Sequence, residues 1–238
     1  MTQALLVAGL ALFLGAVVQG AAGYGMNLLA APVLALVDPS LVPVPLLLVS
    51  TVHAVLAVAR EHRHTDWSGV GWAIAGRVPG VALGVLIVAS LAPRPFSVVV
   101  GLSVLVCVLL SVTTWHPRPT PRALVLGGVA GGTFGTAATI GGPPIALLYQ
   151  HENGATIRST MAVYFVCGSL LSIGGLALGG QVHSDPVLQA GTLLPFMLTG
   201  FVLSNPLRRF LDAGWMRPAV LLIATASALA LLVRSLVG

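Results

Sequence analysis

The sequence predicts an all-α integral membrane protein: two inverted repeats, each with three crossing helices plus a short glycine-broken helical hairpin. Three observations carry that prediction. The 238 residues are 57% hydrophobic and 7% charged, with a mean hydropathy of +1.00, whereas a soluble domain carries about 25% charged residues. Apolar runs follow one another along the whole chain. And one glycine-punctuated segment occurs twice, 112 positions apart.

The two copies are GAVVQGAAGYGMNLLAAPVLAL, starting at Gly15, and GGVAGGTFGTAATIGGPPIALL, starting at Gly127. Aligned without a gap, Gly15 meets Gly127, Gly20 meets Gly132, Gly23 meets Gly135 and Pro32 meets Pro144. Further on, Pro79 and Gly84 match Pro195 and Gly200. The chain reads as a single membrane domain, with repeats at 1–115 and 120–238.

Apolar runs fall at 4–19, 24–37, 41–59, 69–91, 95–114, 122–136, 137–150, 158–179, 187–203 and 217–237. A span of ~30 Å of hydrocarbon needs about 20 residues. The runs 4–19, 24–37, 122–136 and 137–150 are short for that. Each short pair is joined by one copy of the glycine-rich segment. Short, Gly/Pro-interrupted segments in matching places of two halves point to a transporter binding site. MTQALLVAGL lacks the positive leader of a signal peptide and reads as the start of the first helix.

Orientation follows from the arginines, because all eleven basic residues are Arg. The far face, opposite the N-terminus, receives Arg60, Arg63, Arg118, Arg122, Arg158, Arg208, Arg209 and Arg217. The starting face receives Arg94 and Arg234. The far face is therefore expected in the cytoplasm, with both termini outside the cell membrane. The same count of crossings makes the halves inverted.

Several functions are excluded. Without Lys there is no Walker A phosphate loop and no Schiff-base cofactor. Cys107 and Cys167 sit in apolar runs and offer no zinc spacing or disulfide framework. Glu61-His62-Arg63-His64, in one arginine-laced loop, is a poor metal cage. No basic, aromatic-interleaved face suits nucleic acid. No Asp or Glu lies in a span, which argues against an intramembrane enzyme. No cofactor and no metal are expected, and the expected partners are the lipid bilayer and a small anion.

The anion follows from helix physics. Backbone breaks at membrane depth must line an enclosed cavity. A helix that restarts there presents free N–H groups and a partial positive charge. Two inverted breaks bring two such ends toward the midplane. Candidate binding residues are Gln19, Gly20, Gly23, Tyr24 and Asn27 from the first copy. The second copy offers Gly132, Thr133, Gly135, Thr136, Thr139, Gly141 and Gly142. Asn27 aligns with Thr139, and Tyr24 with Thr136.

Two side chains in the spans add to this. Arg77 stands roughly eight residues into its run, about 12 Å deep. It either meets the anion or extends to the headgroups. His53 is the only histidine at membrane depth; it either relays a proton or makes an interhelical hydrogen bond. Trp67, Trp72, Trp115 and Trp215 fall near span ends, as an aromatic belt does. Asp38-Pro39 and Asp185-Pro186 read as turns.

Together, GAVVQGAAGYG with a following proline and GGTFGTAATIGGPP, Gly131 to Pro144, resemble the TauE/SafE sulfite exporter family, also called TSUP anion transporters. The Arg-rich loop ending in Asp66-Trp67 and the Arg158 after the second motif extend the resemblance across the chain. It implies movement of sulfite, sulfonates or related small anions, coupled to an ion gradient. The expected function is a secondary anion transporter working by alternating access, with His53 as the proton-coupling candidate. A passive anion channel is the alternative.

Overall fold

The computed structural model describes residues 2–112, 117–182, 184–211 and 216–237. All regular structure among them is helical: α1 (Thr2–Ala22), α2 (Met26–Val37), α3 (Val44–Arg60), α4 (Trp67–Ser90), α5 (Pro93–Val112), α6 (Pro121–Ala137), α7 (Pro143–Tyr149), α8 (Gly154–Leu178), α9 (Ser184–Leu211) and α10 (Met216–Val237), with one 3₁₀ turn at Pro39–Leu41. Six of these, α1, α4, α5, α8, α9 and α10, are long and apolar enough to cross a membrane.

The hairpins differ from their sequence outline. The run ending at residue 19 belongs to a helix of 21 residues, because α1 continues through Gly15 and Gly20 to Ala22. Gly132 and Gly135 are likewise helical, inside α6. The actual breaks are residues 23–25 and 138–142. Each hairpin therefore has a long first arm and a short return arm: α2 has 12 residues and α7 has 7. At 1.5 Å per residue the return arms reach only about 18 and 10 Å.

The helical glycines serve packing. On α4, Gly76, Gly80 and Gly84 recur every four residues and so share one face. Gly128, Gly132 and Thr136 do the same on α6. A Cβ on Gly76 would overlap the Val125 carbonyl, and one on Gly132 would lie 2.6 Å from the Arg77 carbonyl oxygen. The two backbones thus touch directly, as small residues permit in membranes. The α1–α9 contact is built alike: Gly9 faces Phe196, Gly20 faces Ser204, and Gly200 faces the Phe13 carbonyl.

Other contacts join α3 to α8, α5 to α10, α2 to α10, α5 to α7, α4 to α8 and α3 to α9. Among the described residues, three α-helix starts carry side-chain caps. Asp66 accepts from Gly69 N at 2.9 Å, Thr120 from Ala123 N at 3.4 Å, and Asn153 from Thr156 N at 2.9 Å. Asp66 also accepts from the Tyr149 hydroxyl at 2.7 Å, tying the end of α7 to the start of α4. Trp67 and Trp72 are exposed near that start, while Trp115 and Trp215 lie outside the described residues.

Candidate binding cavity

The tips of the two hairpins meet inside the bundle. The first break turns through Gly23 and Gly25, at φ 91° and 117°. These left-handed values explain glycine at both positions. The second break turns through Thr139, a β-branched residue held at φ 63°. Asn27 Nδ2 donates to the Thr139 carbonyl at 2.8 Å. It also donates to Ser50 Oγ at 2.8 Å, and the Ser50 hydroxyl donates to the Leu46 carbonyl at 2.6 Å. The tips are thereby pinned to each other and to α3.

Beside this junction lies a cavity of ≈ 40 Å³ open to the centre of a water molecule, room for about three waters or one small oxyanion. Gln19 of α1, Gly25, Asn27, and Leu47 and Ser50 of α3 form one side. Arg77 of α4, Gly135 of α6, Thr139 to Pro143, and Phe165 and Ser169 of α8 form the other. No carboxylate belongs to this wall among the described residues.

Arg77 dominates the cavity electrostatically. Its side chain is 2% exposed, so it does not extend to the headgroups. Nη2 lies 3.5 Å from Ser172 Oγ, at the limit of a hydrogen bond, and the guanidinium carbon stands 4.8 Å from the Tyr164 ring centre. Nε and Nη1 have no hydrogen-bond partner among the described residues. A Cβ on Gly135 would come within 2.7 Å of Nη2, one on Gly141 within 3.0 Å of Nη1, and one on Gly168 would overlap the guanidinium carbon. Three glycines thus make room for a buried cation with unused donors. Such a group is costly unless an acceptor meets it.

The sequence-derived candidates separate into groups. Gln19, Asn27, Arg77, Gly135, Thr139, Gly141 and Gly142 line the cavity. Gly20 and Gly23 line a smaller neighbouring space with Arg60, Glu61 and Arg158, and Gln19 and Phe165 border both. Tyr24 faces a third space, beside Ser111 and Gln150. Gly132 and Thr133 belong to the α4–α6 contact; the Thr133 hydroxyl donates to the Val129 carbonyl at 3.0 Å. Thr136 is buried against Ser172, oxygen to oxygen 2.8 Å.

The expected free N–H groups of the second restarting helix are reduced, because α7 opens with Pro143-Pro144. The first Met26 N–H of α2 is already taken by Gln19 Oε1 at 3.1 Å. Ser169, Phe165 and the cradle residue Gly168 were missed in the sequence. The available signal was the run of small residues in α8, Gly168-Ser169 with Ser172 one turn on.

His53 is fully buried just behind the wall. Nδ1 faces Gln19 Nε2 at 3.2 Å and Nε2 faces the Ala16 carbonyl at 3.4 Å. Phe201 packs edge-on, ring centres 5.0 Å apart. At the far face, Arg158 grips Glu61 through two hydrogen bonds, Nε–Oε2 at 2.8 Å and Nη2–Oε1 at 2.9 Å.

These features define a multi-pass membrane transport protein with a small arginine-bearing cavity where two helical hairpins meet α3, α4 and α8. The chain belongs to the sulfite exporter TauE/SafE family, whose model matches residues 7–231. No curated protein and no solved structure matches it.

Proposed function

We propose that this protein is a secondary transporter that moves a small anion, sulfite or a small sulfonate, by alternating access. One observation carries the reading: the buried, donor-rich Arg77 guanidinium faces a small cavity whose described wall holds no carboxylate. A tetrahedral or pyramidal oxyanion supplies the acceptors those donors require. The family's description names sulfite, a substrate of that chemistry.

The helix pairings support two inverted repeats. Exchange α1 to α5 with α6 to α10, in order. The α4–α6 contact then becomes α9–α1, α2–α10 becomes α7–α5, and α4–α8 becomes α9–α3. The α3–α8 and α5–α10 contacts map onto themselves. Rocking of one repeat against the other exposes the cavity alternately to each face. The arginine-rich face is cytoplasmic by the positive-inside rule, which places both termini outside.

The test is uptake of labelled sulfite and of methanesulfonate into proteoliposomes, with and without a pH gradient and with unlabelled anion trapped inside. Gradient-driven uptake with stimulation by trapped anion supports a coupled carrier. Flux that follows only the anion's own gradient, without counterflow, replaces the carrier by a passive channel.

A further inference from the structure

The hydrogen-bond chain behind the cavity fixes its own proton positions. The Met26 N–H can only donate, so the Gln19 amide must turn its oxygen to it, at 3.1 Å. The Gln19 NH₂ then faces His53 Nδ1 at 3.2 Å. The Ala16 carbonyl can only accept, so His53 Nε2, 3.4 Å away, carries the ring proton. His53 Nδ1 is therefore a bare acceptor, and the whole chain is consistent for neutral histidine alone.

A proton added to Nδ1 sets two donors against each other. A half-turn of the Gln19 amide restores that bond by presenting Oε1 to His53. The same turn places the NH₂ beside the Met26 N–H, and both donors then lack an acceptor. Gln19 lines the cavity, and Met26 lies between Gly25 and Asn27, which line it too. An anion oxygen in the cavity satisfies both donors.

We infer that an anion and a proton on His53 bind together, with the Gln19 amide as the switch between them. The inference rests on the cavity being an anion site and adds the sign of its coupling: anion and proton move in the same direction. His53 is a positioning residue here, since it acts through Gln19. The charged groups around it fit this. Arg60 ends its own helix, and Arg77 and Arg158 stand on α4 and α8, with Glu61 paired to Arg158. Helices α1 and α2 carry no ionisable side chain, and the described side chains of α9 include only Asp185, at the opposite end. Tyr164 and Cys167 complete the titratable groups of α8. In this cationic surrounding, an arriving anion offsets the charge that protonation adds.

The experiment is calorimetric titration of the purified full-length protein with methanesulfonate, which stays ionised between about pH 5 and pH 8, the range of a histidine switch. Two buffers of different ionisation heat give the protons taken up per anion. Wild type is expected to take up about one proton at the alkaline end, with affinity rising about tenfold per pH unit of acidification. Gln19→Met and His53→Gln are expected to bind with affinity independent of pH. A flat wild-type profile without proton uptake overturns the coupling and leaves the anion cavity standing. Full pH dependence in His53→Gln overturns the role of His53. Absence of binding at every pH overturns the anion cavity, and the coupling with it. Should either variant fail to fold, the wild-type proton count decides.

Discussion

Asn27 donates to the carbonyl of Thr139 at 2.8 Å, and these two residues occupy the same place in the two glycine-rich copies, 112 positions apart. Under the proposed inverted pairing, equivalent residues meet only at the axis that relates the halves, and this bond joins the tips of the two hairpins. Asn27→Leu removes a half-buried donor and takes from the Thr139 carbonyl its bond to that side chain. The expected cost is about 1 kcal/mol, within the range for one polar contact between membrane helices. Transport is expected to fall with it, because the freed tips no longer hold the cavity wall. Thermal melting in detergent beside proteoliposome flux checks both; wild-type values in the two assays would remove the junction from the mechanism.

Arg77 predicts an opposite pairing of effects. Its guanidinium is buried with little internal compensation, so replacing it by an apolar chain of similar length relieves a desolvated charge. Arg77→Met is expected to melt at or above the wild-type temperature. Its affinity for methanesulfonate is expected to drop by about 2 kcal/mol or more, some 30-fold, the scale of charge-assisted hydrogen bonds. Arg77→Lys keeps the charge but loses the forked donors, and should bind with intermediate strength. A destabilised Arg77→Met that still transports normally would make Arg77 a structural residue.

Much of this arrangement was legible from residues alone. Low charge, apolar periodicity and the repeated segment point to the helical membrane class, and Arg77 stands out because an intramembrane arginine needs a reason. The hairpin boundaries were not legible. Glycine marks both a break and a close helix contact, and at Gly20 and Gly132 the tertiary contact decides. Thr139 shows the converse: nothing in a β-branched residue announces a left-handed backbone, yet the second hairpin turns there. Gly168 joins the site only because α8 packs across α4, a relationship no local pattern encodes.

That cradle gives a paired prediction. In Gly168→Ala the new methyl overlaps the Arg77 guanidinium carbon, and the guanidinium must shift into the space the anion would occupy. Anion affinity is expected to fall at least tenfold, about 1.4 kcal/mol. Gly174→Ala lies on the same helix with nothing within 4 Å of the new Cβ. It should bind normally and gain roughly 0.5–1 kcal/mol from the loss of a helix-interior glycine. Equal affinities in the two variants would contradict the cradle, whatever their melting temperatures.

The Glu61–Arg158 pair closes the small space between the cavity and the arginine-rich face, joining the end of α3 to the start of α8. Its side chains are 20% and 25% exposed, so water screens it and its worth to stability is about 1 kcal/mol or less. Its expected contribution is to access. Glu61→Gln keeps the shape but removes the charge that holds Arg158, which should loosen α3 against α8 on that side only. Ala57, in the wall of the same space, supplies the reporter: Ala57→Cys in a Cys107→Ser, Cys167→Ser background, labelled with a membrane-impermeant thiol reagent. Labelling from the arginine-rich face should be several-fold faster with Glu61→Gln, with melting little changed. A rate equal to that of intact Glu61 would show that the pair does not guard the cavity, and the barrier on this face would then pass to the packing of Gly23 on Arg158, where a Cβ would come within 3.0 Å of the arginine Cα.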